Sequence, residues 1–75
     1  MTAFDLKTGE RGTIIALEHN AMMLKLVEMG CYPGKTIELM NRSIFNDPIC
    51  IKVAGYQLLL RKEEADSIKI EYCHQ

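Results

Sequence analysis

The chain has no tryptophan, only two prolines among its 75 residues, and no surplus of either charge, since nine Lys and Arg stand against ten Asp and Glu. Nonspecific nucleic-acid binding draws on neutralised phosphates. A formal charge of −1, with no block of one sign longer than Arg61-Lys62 or Glu63-Glu64, supplies no such field. The few aromatics, Phe4, Tyr32, Phe45, Tyr56 and Tyr72, are dispersed and build no stacking platform for single strands. No nucleic-acid partner is expected. No apolar run nears the ~20 residues that cross a bilayer, and the first ten residues, which carry Asp5 and Glu10, hold no signal-peptide core. Direct membrane insertion is not expected either. The three cysteines, Cys31, Cys50 and Cys73, are odd in number and contain no C-x-x-C pair. They make poor material for a disulfide framework and read as reduced thiols of a cytoplasmic protein.

Patterns that carry chemistry are missing as well. There is no Gly-rich phosphate loop, no Ser-His-acid order and no nucleophile motif, so the chain is not expected to be an enzyme. Cys31, Cys50, Cys73, His19 and His74 do not assemble into a metal site: Cys73 and His74 are adjacent, which strains joint chelation, and Cys50 has no ligand at i+2 along its strand. Neither a metal nor a cofactor is expected.

What remains is a single domain over 1–75 that is 48% hydrophobic. A chain of this size removes only about 60% of its unfolded surface from water, so the core is small. Residues 12–18, "GTIIALE", read as a strand by β-branched density. "AMMLKLVEM", residues 21–29, reads as a helix, N-capped by Asn20 and ended by Gly30 in the left-handed region. "YPGK" is a turn signal, with Pro33 presetting φ and Gly34 free to take φ > 0. "TIELM" (36–40) alternates and "NRSIFNDP" (41–48) is a loop closed by Asn46-Asp47-Pro48. "ICIKV" (49–53) turns through Ala54-Gly55 into "YQLLL" (56–60), and "SIKIEY" (67–72) alternates again. "RKEEAD" between the last two is long enough only for a turn. The inward set is Ile37, Leu39, Ile51, Val53, Leu58, Leu60, Ile68 and Ile70, with Cys50, Lys52, Lys69 and Glu71 outward; the parity of "YQLLL" is the weakest, because Leu59 is apolar too. Five short strands and one helix hide their edges best by curling, which predicts a mainly β, SH3-like barrel with the helix inserted after the first strand.

Two ordered stretches, "KLVEMGCYPGKTIEL" and "NDPICIKVAGYQLLLRKEEADSIKIE", resemble the ferrous iron transport protein A (FeoA) family. They match its helix-Gly-x-x-Pro-Gly-strand joint and its Asp-Pro, hairpin and Leu-Arg-Lys-x-x-Ala segments, over about residues 12–71. Lys25 stands where the family often has Arg, Asn46 where Gly is common, and the tail "YCHQ" matches no shared pattern. The resemblance implies a small SH3-like barrel in the cytoplasm. It would accompany an FeoB-like membrane iron permease and act on that permease or its GTP-binding part. A barrel of this kind also serves as a regulatory domain in metal-dependent repressors, but no helix-turn-helix is encoded here.

The helix carries more apolar surface than one core face needs. Lys25 and Glu28 share a polar sector opposite Met23, Leu26, Val27 and Gly30, while Met22, Leu24 and Met29 widen the apolar arc to roughly 220°, against the ~100° stripe of a half-buried helix. A deeply sunk helix would absorb the excess. An exposed flank would instead dock a partner segment, from the permease or from a second copy of the chain in a homo-oligomer. The expected partner-binding residues are Met22, Leu24, Met29, Cys31, Tyr32 and Pro33. Cys31 also suits the role of a small packing residue, with a thiol pKa raised at a helix C-terminus. By analogy with GTPase activation, Arg42 or Arg61 could be inserted into the permease's GTP-binding part.

Overall fold

The computed structural model describes residues 1–45 and 47–73. The expected role of Asn46 in closing the loop, and the expectation that Cys73 and His74 do not chelate together, therefore rest on residues outside those described. A 3-10 turn at Ala3–Asp5 is followed by β1 (Arg11–Leu17), α1 (Met23–Glu28), β2 (Thr36–Arg42), β3 (Ile49–Val53), β4 (Tyr56–Leu60), α2 (Lys62–Asp66) and β5 (Ile68–Tyr72). The strands form one antiparallel sheet in the order β4-β3-β2-β1-β5. Five strands with unpaired outer edges share one core best by curling, and with the two short helices they form a body of 27 × 27 × 22 Å.

Two bulges assist the curl, one in β1 between Ile14 and Ala16 and one in β2 between Leu39 and Asn41. A bulge bends its strand and shifts the side-chain phase. In β1 this sends both Ile14 and Leu17 inward, three residues apart, and leaves Ile15 half in solvent. Of the expected inward set, Ile37, Leu39, Ile51, Val53, Leu60, Ile68 and Ile70 are buried, and Leu58 is half-buried against them. Leu59, the parity competitor, points out at 67% exposure. Cys50, expected outward, is nevertheless buried. Its small side chain stands between its cross-strand partners Asn41 and Leu59, with Sγ 3.7 Å from Gln57 Oε1.

Three local features depart from the sequence reading. The helix expected over 21–29 is shorter, Met23–Glu28, because Asn20 acts one step earlier: its Oδ1 accepts the Met22 N–H at 2.9 Å and its carbonyl accepts that of Met23 at 3.2 Å. Residues 21 and 22 are consumed in that turn. "RKEEAD", expected to be only a turn, forms α2, with Glu64 Oε1 accepting the Arg61 N–H at 2.9 Å. The first ten residues, given no element, contribute Ala3 and Leu6 to the core, both fully buried.

Candidate partner-binding surface

Glycine and proline chemistry fixes where α1 ends. Gly30 takes φ +94°, its N–H bonds to Val27 O at 3.0 Å, and the Cys31 N–H bonds to Leu26 O at 2.8 Å. This is the Schellman arrangement, completed by its customary apolar contact positions, since Leu26 and Cys31 are both fully buried. Pro33 and Gly34 then form the central pair of a turn in which Gly34 has φ +99° and the Lys35 N–H reaches Tyr32 O at 3.2 Å, as a type II turn requires. Ile14 of β1 locks this turn to the sheet: its carbonyl accepts the Gly34 N–H and its N–H donates to Lys35 O, each at 2.8 Å.

The other end and side of α1 are tied to α2. Asn20 Nδ2 donates to Ser67 Oγ at 3.0 Å, and Ser67 Oγ donates on to Glu63 O at 2.9 Å. Lys25, assigned to a solvent-facing sector by the wheel, donates its Nζ to Glu64 Oε2. Glu64 is 6% exposed. The Lys25 hydrogen bond holds its carboxyl below the ordinary range; burial opposes that shift, and the Arg61 N–H assists it.

These ties decide which flank of α1 faces out. Leu24 is 69% exposed and Val27, one turn on, is 38% exposed. Met22 and Met29 are half-buried against the core. Tyr32 is partly exposed with the Lys35 ammonium 5.2 Å from its ring centre, and Pro33 is exposed. Cys31 leaves the expected set: it is fully enclosed between helix and sheet, so its side chain presents nothing to a partner. Burial pushes its thiol pKa up to about 11. The helix terminus invoked from sequence is not needed for that shift.

Beside α1 runs an open cleft of about 240 Å³ lined by Lys25, Pro48, Leu59, Arg61 and Glu64. Val27, placed on the core side by the wheel, and the cleft residues Pro48, Leu59, Arg61 and Glu64 were not among the expected site residues. An uninterrupted "LLL" in a short strand, one member of which must face out, was the available signal for Leu59. Of the two arginines considered for insertion, Arg42 is committed internally. Its guanidinium donates to the carbonyls of Phe4 and Leu6 and lies 4.8 Å from the Phe4 ring centre. Arg61 is exposed at the cleft rim. Among the described residues no group of three or more His, Cys, Asp and Glu is placed to hold a metal ion, and no helix is long and apolar enough to cross a membrane.

Comparison with known proteins agrees with this architecture. The family model described as "FeoA domain" matches residues 1–72. A fusion of Fe(2+) transport protein A with the Fe(2+) transporter FeoB from Porphyromonas gingivalis is 32% identical over 72 residues, 95% of this chain and 8% of the relative's length. The solution structure of iron(II) transport protein A from Clostridium thermocellum superposes with a TM-score of 0.90 at 36% identity, covering 96% of this chain and 45% of that one. The zinc complex of Stenotrophomonas maltophilia FeoA, described as a prokaryotic SH3 domain protein, superposes with a TM-score of 0.84 over 95% of this chain and 89% of its own, at 18% identity, and so speaks to the SH3-like fold. With its family motifs in order, its SH3-like sheet and a domain model spanning nearly its whole length, the chain belongs to the FeoA domain family, a family of ferrous iron transport.

Proposed function

We propose that this chain is a cytoplasmic accessory protein of ferrous iron uptake that binds the cytosolic GTP-binding part of an FeoB-type membrane permease and modulates it. The observation that carries this reading is the Porphyromonas gingivalis relative, in which an FeoA-like segment and an FeoB transporter share one polypeptide. Covalent linkage holds two modules at a high effective concentration. Wherever the two modules are separate polypeptides, a contact between them has to replace that link. The outward flank of α1 is suited to that contact, because Leu24 and Val27 present apolar surface on a helix already immobilised at both ends. A binding surface that needs no ordering loses less entropy on association.

The test is calorimetric titration of the chain into the purified GTP-binding part of the permease from the same organism. Wild type should bind saturably. Leu24→Glu should weaken binding by about tenfold or more, the loss of a central apolar anchor, while its melting curve stays within about 0.5 kcal/mol of wild type, as an exposed position allows. Absence of binding by wild type refutes the proposal. Wild-type affinity in Leu24→Glu refutes the assignment of the contact to this flank.

A further inference from the structure

The two edges of the sheet are treated differently. The outer edge of β5 is covered by the start of the chain: Ile70 N–H donates to Met1 O at 3.0 Å, and Thr2 forms an isolated antiparallel bridge with Lys69. The outer edge of β4 has no such cover among the described residues. In the β3–β4 hairpin the pair flanking the two-residue turn, Val53 and Tyr56, is a hydrogen-bonded pair, and hydrogen-bonded pairs alternate along an antiparallel ladder. The pairs Ile51–Leu58 and Ile49–Leu60 follow suit, so the N–H and C=O groups of Gln57 and Leu59 point away from β3. Natural edge strands are usually blunted by charge, proline or a bulge. "YQLLL" has neither charge nor proline, its ladder with β3 is unbroken, and Tyr56 and Leu59 are 72% and 67% exposed.

We infer that β4 is a dimerisation edge on which a second copy of this chain adds its own β4, antiparallel about a two-fold axis at Leu58. The register follows from which backbone groups are free. Alignment of Gln57 with Leu59 of the second copy, and the reverse, sets outward-pointing groups against outward-pointing groups with both pairs inside β4, whereas centring on Gln57 or Leu59 would bring in turn residue Gly55 or Arg61, whose N–H is already bonded to Glu64. Each such pair exchanges both of its N–H···O=C bonds. The side chains fit the same register. Leu58 meets its own symmetry mate, so two half-buried leucines cover each other. On the outer face the row reads Lys52, Gln57, then Leu59 and Cys50 of the second copy, which covers the exposed Leu59 without setting one charge against a like one. The symmetry places the two Lys52 side chains at opposite ends of adjacent rows. A second copy is thus matched in hydrogen bonds, apolar cover and charge.

Sedimentation equilibrium over a concentration series tests this, together with amide hydrogen exchange. Wild type should self-associate, and the Gln57 and Leu59 amides should become protected as concentration rises. Gln57→Lys with Leu59→Lys sets like charges opposite each other at both symmetric positions and should weaken the dimer about tenfold or more. Gln57→Lys with Leu59→Glu sets opposite charges against each other in this register alone and should restore association to near the wild-type level. Both double variants change exposed side chains, and unaltered circular dichroism melts would show that their folds are intact. A wild type that stays monomeric at millimolar concentration overturns the inference. So does a dimer whose Gln57 and Leu59 amides stay unprotected, or an opposite-charge pair that dimerises no better than the like-charge pair.

Discussion

Replacing Glu64 by Gln probes the electrostatic tie between α1 and α2. The buried carboxylate accepts Lys25 Nζ at Oε2 and the Arg61 N–H at Oε1, the latter at 2.9 Å. Gln keeps the volume and an oxygen for the Arg61 N–H, since either residue serves at that position of a helix start, but it loses the charge. The Lys25 side chain is 62% exposed. Solvent screens the pair, which places its coupling near the top of the surface range, about 1 kcal/mol, and not at the several kcal/mol of a fully buried pair. Glu64→Ala also deletes the bond to Arg61 and leaves space beneath α2, for a cost of about 2–4 kcal/mol. The pH dependence has a definite sign. Because the folded-state pKa lies below the unfolded value of about 4.3, the stabilisation is complete above that pH and is lost as the pH falls through the depressed value. Urea unfolding followed by circular dichroism, on wild type, Lys25→Met, Glu64→Gln and the double variant, measures the coupling as a cycle. It should be about 1 kcal/mol at neutral pH and close to zero near pH 2. A coupling equal at both pH values, or none at neutral pH, would show that the pair contributes no charge interaction to α1.

The β3–β4 turn offers a stabilising change. Ala54 has φ +52° and Gly55 φ +84°, the type I′ geometry in which Asn-Gly is favoured, so Ala54→Asn should gain about 0.5–1 kcal/mol and raise Tm by a few degrees; a lowered Tm would refute the strain argument. Thiol reactivity should divide the cysteines: with a pKa of about 11 and no exposure, Cys31 should resist iodoacetamide at neutral pH until the protein unfolds, while the partly exposed Cys73 is alkylated in the native state. Peptide mapping after timed alkylation reads both, and equal labelling of the two would contradict the burial of Cys31.

What could be read from sequence, and what could not, divides by the range of the interaction. Alternation in "TIELM", "ICIKV" and "SIKIEY" is local, and all six residues of the inward set that it supplied are buried; "YQLLL" added Leu60, buried, and Leu58, half-buried. The Gly30 and Pro33-Gly34 joint was legible for the same reason, because positive φ at a glycine is a one-residue property. The start of α1 was not, since Asn20 can accept an N–H either as a helix cap or in a turn before the helix, and the composition of 21–29 does not choose between them. The N-terminal segment offered Met1, Ala3, Phe4 and Leu6, too few points to show a period, yet Ala3 and Leu6 reach the core. The tie between Lys25 and Glu64 spans 39 residues, and no pattern along the chain announces it. Most of the candidate surface was hidden accordingly: Leu24 could be named from the wheel, but Cys31 was misplaced outward and the cleft beside it depends on which distant strand ends there.

A six-residue helix is too short to hold itself together in water. Beyond its own end caps at Asn20 and Gly30-Cys31, α1 is held by groups that belong elsewhere: Ser67 and Glu64 to α2 and its end, Ile14 to the interior of the sheet. Fraying of α1 on its own is thereby suppressed, and its opening is coupled to that of β1, so its amides should exchange at rates approaching those of the sheet. Whatever grips Leu24 consequently grips the whole domain. Ligation at that one exposed side chain would slow global unfolding, and a protease or chaperone that senses the unfolded population would register partner occupancy through a residue far from most of the core.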